Sequence, residues 1–120
     1  MDELQVVFYS LSTGVCPAKE FLLSLDPKMR AKMLRMISML QTNGTKLRKP
    51  YSEHLDDGIF ELRAKVGSNI SRVMYFFYDG GQAILTHGFI KKTQKTPPIE
   101  LERAKNYRSD YLRRKESENG

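Results

Sequence analysis

The sequence predicts an α+β fold, in which an antiparallel twisted sheet packs against an N-terminal helical hairpin and is followed by a C-terminal helix. Three observations predict it. Residues 59–66, 70–78 and 82–92 are rich in β-branched and aromatic side chains, and only the short breaks Gly67-Ser68-Asn69 and Asp79-Gly80-Gly81 separate them, which is the pattern of a three-strand meander. Two segments upstream of the meander, and one downstream, repeat apolar residues at helical spacing. A short β-prone run, Gln5-Val-Val-Phe-Tyr9, adds an N-terminal strand to the same sheet.

A chain of 120 residues, 40% hydrophobic and 28% charged, has the size and composition of one globular domain, here residues 1–120. The single cysteine, Cys16, can form no intramolecular disulfide. With no signal-peptide pattern and no apolar run long enough to cross a bilayer, a reducing cytoplasm is the expected compartment and no membrane contact is expected.

Pro17 suits the first position of a helix, and Ala18, Phe21, Leu22 and Leu25 follow on one face. Asp26-Pro27 is a second helix start, after which Met29, Met33, Met36, Ile37 and Leu40 recur until Asn43-Gly44 ends the run. The thioethers read as core filling. From Thr45 to Gly58 the periodicity is lost, and Lys46, Arg48, Lys49, Pro50, His54, Asp56 and Asp57 read as a polar loop bordering the sheet. Thr96-Pro97-Pro98 opens the last helix, with Glu100 and Glu102 early, Arg113, Arg114 and Lys115 late, and Leu101, Ala104, Tyr107 or Arg108, and Tyr111 facing inward.

The charge is concentrated in the meander. Residues 59–95 hold six cations and two acids, whereas the segment before them holds eight and seven and the segment after them six and five. Clustering of this kind is the footprint of a polyanion-binding surface. Strand alternation places Phe60, Leu62, Ala64 and Val66 on one face and leaves Glu61, Arg63 and Lys65 as a charged outer row. Arg72 shares a face with Met74, Phe76 and Tyr78, so it is either a buried ion-pair partner or a group held rigidly for a phosphate. Lys91-Lys92 sends one ammonium to each face at the end of the third strand.

His54 and His87 lack ligand partners at metal spacing, Cys16 has no activating neighbour, and neither Gly-rich turn leads into a helix as a phosphate-binding loop would. Metal, thiol and nucleotide-hydrolysis chemistry are therefore disfavoured, and no cofactor is expected. Arginines and lysines on a sheet suit phosphodiester attack or phosphate binding. In metal-free RNA cleavage a 2′-hydroxyl must lose its proton, the phosphorane gains negative charge and the 5′-oxygen leaves protonated. Guanidinium groups stabilise the charge, and a lysine of lowered pKa can act as the base. The residues alone leave open the other reading, a solvated basic face with Arg63 paired to Glu61 or to a neighbouring strand.

The series Ile59-Phe-Glu-Leu-Arg63, Arg72-Val-Met-Tyr75, Leu85-Thr-His-Gly-Phe-Ile-Lys-Lys92 and, behind Pro97 and Pro98, Glu100-Leu-Glu-Arg-Ala104 resembles the HigB branch of the RelE/ParE toxin superfamily, phage-derived members included. The likeness runs from the first strand through the last helix. It implies a type II toxin that cleaves mRNA on the ribosome without a metal, and a HigA-like helix-turn-helix antitoxin that neutralises it, forms higher heteromers with it and binds operator DNA. Carried over residue by residue, Arg63 and Arg72 match the sheet arginines that contact the scissile phosphate. Lys91 and Lys92 match the basic pair after Gly-Phe, one of them a candidate base. Lys65, Lys95, Lys46, Arg48 and Lys49 are the cations expected to bind RNA around this centre. Some relatives place a catalytic Tyr or His near the C-terminus, but Tyr107 and Tyr111 fall on helical spacing and read as core, which leaves the general acid unassigned. Two other uses of the fold stay open, a gyrase-poisoning toxin and a non-catalytic RNA-binding module.

Overall fold

The computed structural model describes residues 4–91 and 95–119. In chain order the elements are β1 (Gln5–Phe8), α1 (Pro17–Ser24), α2 (Pro27–Asn43), a 3-10 turn (Gly44–Lys46), β2 (Ser52–Asp56), β3 (Ile59–Val66), β4 (Asn69–Tyr78), β5 (Gln82–Lys91) and α3 (Pro98–Asn119). The strands form one sheet in the order β1-β5-β4-β3-β2.

Local chemistry sets the boundaries. Pro17 opens α1, and the Asp26 carboxylate caps α2 by accepting the Met29 N–H at 3.0 Å, with Pro27 in the first turn. Gly44, at φ 56°, ends α2 with its N–H on the Leu40 carbonyl. The hairpin between β4 and β5 turns through Asp79 and Gly80, both at positive φ, the geometry that matches strand twist in tight hairpins.

Two features depart from the expected architecture. The stretch read as a polar loop contains β2, which pairs antiparallel with β3 from Ser52↔Leu62 to Asp56↔Ile59. Its Ser-Glu-His-Leu-Asp sequence is polar because it is an edge strand: Ser52 is buried while His54 and Asp56 are exposed. The signal was Asp57-Gly58, whose positive φ angles of 50° and 76° close the hairpin. The second departure is that β1 pairs parallel with β5, from Gln5↔Gln82 to Phe8↔Leu85, so the sheet is mixed. A parallel neighbour needs a long crossover, and everything between β1 and β5 supplies it.

Both faces of the sheet are covered. On one face α1 and α2 set Leu22, Met29, Met33, Met36 and Leu40 against Leu62, Val73, Tyr75, Ala83 and Leu85. On the other face Ala104 and Tyr111 of α3 meet Tyr9, Ile59, Met74, Phe76 and Ile84. Side chains anchor α3 along its length: Lys105 reaches Asp56 at 2.8 Å, Arg108 reaches Asp57 at 2.8 Å, and the Tyr9 hydroxyl donates to Asp110 at 2.6 Å. Burial and the neighbouring Asp110 carboxylate push the Tyr9 phenol up to about 12. Among the described residues, no helix is long and apolar enough to cross a membrane.

Candidate nucleic-acid interface

Register gathers Arg63, Lys65 and Arg72 on the α3 face of the sheet. Three cross-strand rows run from β3 through β4 to β5: Lys65, Ile70 and Lys91; Arg63, Arg72 and Phe89; Glu61, Met74 and His87. On β2, Glu53 lies opposite Glu61 and extends the third row. Lys65 is exposed, Lys91 holds the register position opposite Ile70, and Lys92 lies outside the described residues.

Two guanidiniums directly opposite each other on adjacent strands repel unless an anion lies between them. Glu61 is that anion. It was expected on an exposed outer row, yet it is completely buried, because the start of α3 and the segment before it lie over this face. Its Oε2 accepts from Arg63 Nε at 3.0 Å and from Arg72 Nη1, and its Oε1 accepts from the Thr96 hydroxyl at 2.6 Å. Arg63 Nη2 also donates to Glu53, and Lys49 Nζ stands 3.5 Å from the other Glu53 oxygen. Burial pushes the Glu53 carboxyl up, but Arg63 and Lys49 outweigh it and hold the group below its usual range.

The two arginines differ in access. The Arg63 side chain is 24% exposed and the Arg72 side chain 4%. Arg72 Nε is buried with no hydrogen-bond partner among the described residues. Arg63 borders a depression of about 240 Å³ together with Glu53, Leu55, Glu61, Lys95, Thr96 and Leu101, and of the two arginines it is the more accessible.

The remaining expected RNA-binding residues lie elsewhere. Arg48 and Lys49 border a larger depression of about 660 Å³, with Thr45, Leu47, Ser52, Glu53, His54 and Phe60, on the α2 side of β2. Lys46 is exposed on the 3-10 turn and lines neither depression. Glu53 lines both.

Sequence reasoning raised Glu61 as a partner for Arg63 but placed it on an exposed row, and it missed Glu53 and the sharing of Glu61 between both arginines. Glu61 and Arg63 two residues apart on a strand share a face, and an arginine opposite them on the next strand was the available signal. His87 is buried, with Nε2–H donating to Glu100 at 3.0 Å and Nδ1 3.2 Å from the Thr86 hydroxyl; burial lowers its pKa against the pull of Glu100. Tyr107 and Tyr111 pack as expected, against Tyr9 at 4.8 Å and Phe76 at 5.8 Å between ring centres. Among the described residues no group of three or more His, Cys, Asp or Glu side chains is placed to hold a metal ion.

Residues 20–109 match the family described as "Phage derived protein Gp49-like (DUF891)", a span that runs from α1 into α3 and includes Glu53, Glu61, Arg63, Arg72 and Thr96. The chain belongs to this Gp49-like family. The family is RelE-like and toxin-like, in keeping with the mixed sheet flanked by helices in this Gp49-like chain. No curated protein matches the chain.

Proposed function

We propose that this Gp49-like protein is the toxin of a type II toxin–antitoxin pair and acts as a ribosome-dependent, metal-independent mRNA endonuclease in the cytoplasm. The observation that supports it is the opposed pair Arg63 and Arg72, oriented by one buried carboxylate beside a surface depression. Preorganised guanidiniums stabilise charge that develops on a phosphorane, because they need no reorganisation as the charge appears. A scissile phosphate enters beside Arg63 and displaces its solvent-accessible grip on Glu53. Arg72, the more buried of the two, adds its field through the shared Glu61. Lys65 and Lys91 hold the row next to the two arginines, Lys95 borders the depression, and one of the lysines 91 and 92 serves as the base. A HigA-like helix-turn-helix antitoxin neutralises the toxin and links it to operator DNA.

The engagement of both arginines by carboxylates also favours a second reading, an RNA-binding module that does not cut. One experiment separates the two. After brief expression, 5′-end mapping of cellular transcripts should show new ends inside translated reading frames, and Arg63→Gln should abolish them. Arrested protein synthesis without new ends selects the non-cutting module. Normal synthesis with relaxed DNA selects gyrase poisoning and overturns the nuclease.

A further inference from the structure

The depression on the α2 side of β2 has features of a nucleotide pocket that the arrangement around Arg63 does not use. Its aromatic wall is Phe60, a ring fixed by three neighbours: Tyr75 stacked at 5.3 Å, Phe77 edge-on at 5.1 Å and His54 edge-on at 5.0 Å. His54 is fixed as well. Its Nε2 accepts the Gly58 backbone N–H at 3.1 Å, and since that amide can only donate, the neutral ring carries its proton on Nδ1. The wall therefore combines an apolar ring face with an N–H donor.

The cationic side is equally prepared. Arg48 Nη1 donates to the Thr45 carbonyl at 2.6 Å and to the Leu47 carbonyl at 3.2 Å, which holds the guanidinium in place and leaves Nε and Nη2 for a ligand. Lys49 stands beside it with its side chain 70% exposed and its ammonium 3.5 Å from Glu53. A volume of about 660 Å³ accommodates a nucleobase with its sugar and phosphate.

The link to the Arg63 depression runs through one side chain. Glu53 lines both depressions, gripped on one side by Arg63 and on the other by Lys49, so only the edge strand β2 separates the two cationic surfaces. Among the described residues, no further strand lies beyond β2 in the sheet order. A single strand of RNA can therefore cross that edge, with one phosphate at Arg63 and a neighbouring nucleotide in the second pocket.

We propose that the Thr45–Phe60 depression is a subsite for one nucleotide of single-stranded RNA adjacent to the phosphate held at Arg63, its base against Phe60 and His54 and its phosphate at Arg48 and Lys49. The subsite rests on the proposed RNA-directed function. Stacking on an aromatic ring is sequence-tolerant, whereas the His54 N–H favours a base that presents an acceptor.

The probe is a 2′-O-methyl trinucleotide, which the protein can bind but not cut, titrated into the full chain and followed by calorimetry and by the His54 ring resonances. Phe60→Leu and Arg48→Gln should each weaken binding about tenfold, the first through lost stacking and the second through a lost phosphate contact. Arg48 is exposed, so its variant reports binding even if Phe60→Leu unfolds. His54 resonances should shift on titration in the wild type. Unchanged affinity in Arg48→Gln together with unshifted His54 resonances overturns the subsite. If the wild type cleaves mRNA on the ribosome yet its His54 ring ignores the trinucleotide, the subsite alone falls; if it neither binds nor cleaves, the RNA-directed function falls with it.

Discussion

Arg63 and Arg72 stand directly opposite each other on β3 and β4, and the carboxylate that reconciles them, Glu61, comes from the same strand as Arg63, two residues away. An i, i+2 pair on a strand shares a face, so Glu61 lies one cross-strand row from both guanidiniums and reaches both with a single oxygen. Three charges thus hold one another in place under the start of α3, and Glu61 sets the orientation of Arg63.

The first expected outcome concerns the buried half of this cluster. Arg72→Ala removes one partner from a carboxylate with no solvent exposure, and Glu61→Gln leaves two arginines facing each other; breaking a buried pair typically costs about 3–5 kcal/mol. The double change Glu61→Leu with Arg72→Met removes both buried charges and should recover much of the loss, with Arg63 still held by Glu53. Urea denaturation of the three variants measures this. Costs that simply add would show that the two groups do not interact.

Arg63 should behave differently. Its side chain is a quarter exposed, its outer contact is with a partly exposed carboxylate, and Glu61 keeps Arg72 and Thr96 when Arg63 is lost, so Arg63→Gln is expected to cost less stability than Arg72→Ala. Its effect on growth arrest should be complete. A thermal melt alongside a growth assay checks the pair of results, and a variant that melts far below wild type would place Arg63 with Arg72 as structural.

Much of the scaffold was legible because local chemistry agreed with it. Asp26-Pro27, Asn43-Gly44 and Asp79-Gly80 mark boundaries through capping and turn geometry, which depend on few neighbours. The burial of Glu61 was not legible, since strand alternation says which residues share a face but not whether a distant helix covers that face. The same reason hid β2: an edge strand has one partner and half its residues in water, so its composition resembles a loop. In both cases the missing information was tertiary. The separation of Arg48 and Lys49 from Arg63 belongs with them, because it depends on which side of β2 each residue falls.

Stability should also depend on pH, through His87. Burial depresses its pKa, the Glu100 contact opposes this in part, and Arg103 adds to the depression. In the unfolded chain a histidine takes up a proton at about 6.5, so below that pH the unfolded state binds more protons than the folded one and stability falls. Glu53, held below the usual carboxylate range, adds a loss of the same sign at lower pH. The melting temperature should therefore drop between about pH 7 and about pH 5, and His87→Gln should flatten the upper part of that slope. A melting temperature that rises over this interval would mean that the folded chain binds more protons there than the unfolded one, with the Glu100 contact outweighing burial at His87.

The last expected outcome concerns Gly88, which separates two residues of the site face, His87 and Phe89, and itself points the other way. Opposite Val73, it faces α1, where the ring of Phe21 lies across it. A Cβ at this position would come within 2.2 Å of Phe21 Cδ2 and 2.6 Å of Cε2, so glycine is required here by close approach and not by backbone conformation. Gly88→Ala forces the ring, and with it α1, away from β5, and overpacking of this kind costs about 1–3 kcal/mol. Phe21→Leu alone removes ring contacts and should cost about 1 kcal/mol or more. Combined, the two changes should cost less than their sum, because the smaller side chain makes room for the new methyl. A double-mutant cycle by urea denaturation reads the coupling directly. Strict additivity would mean that the methyl meets something other than Phe21, and that α1 is not what holds the His87-Gly88-Phe89 segment in register.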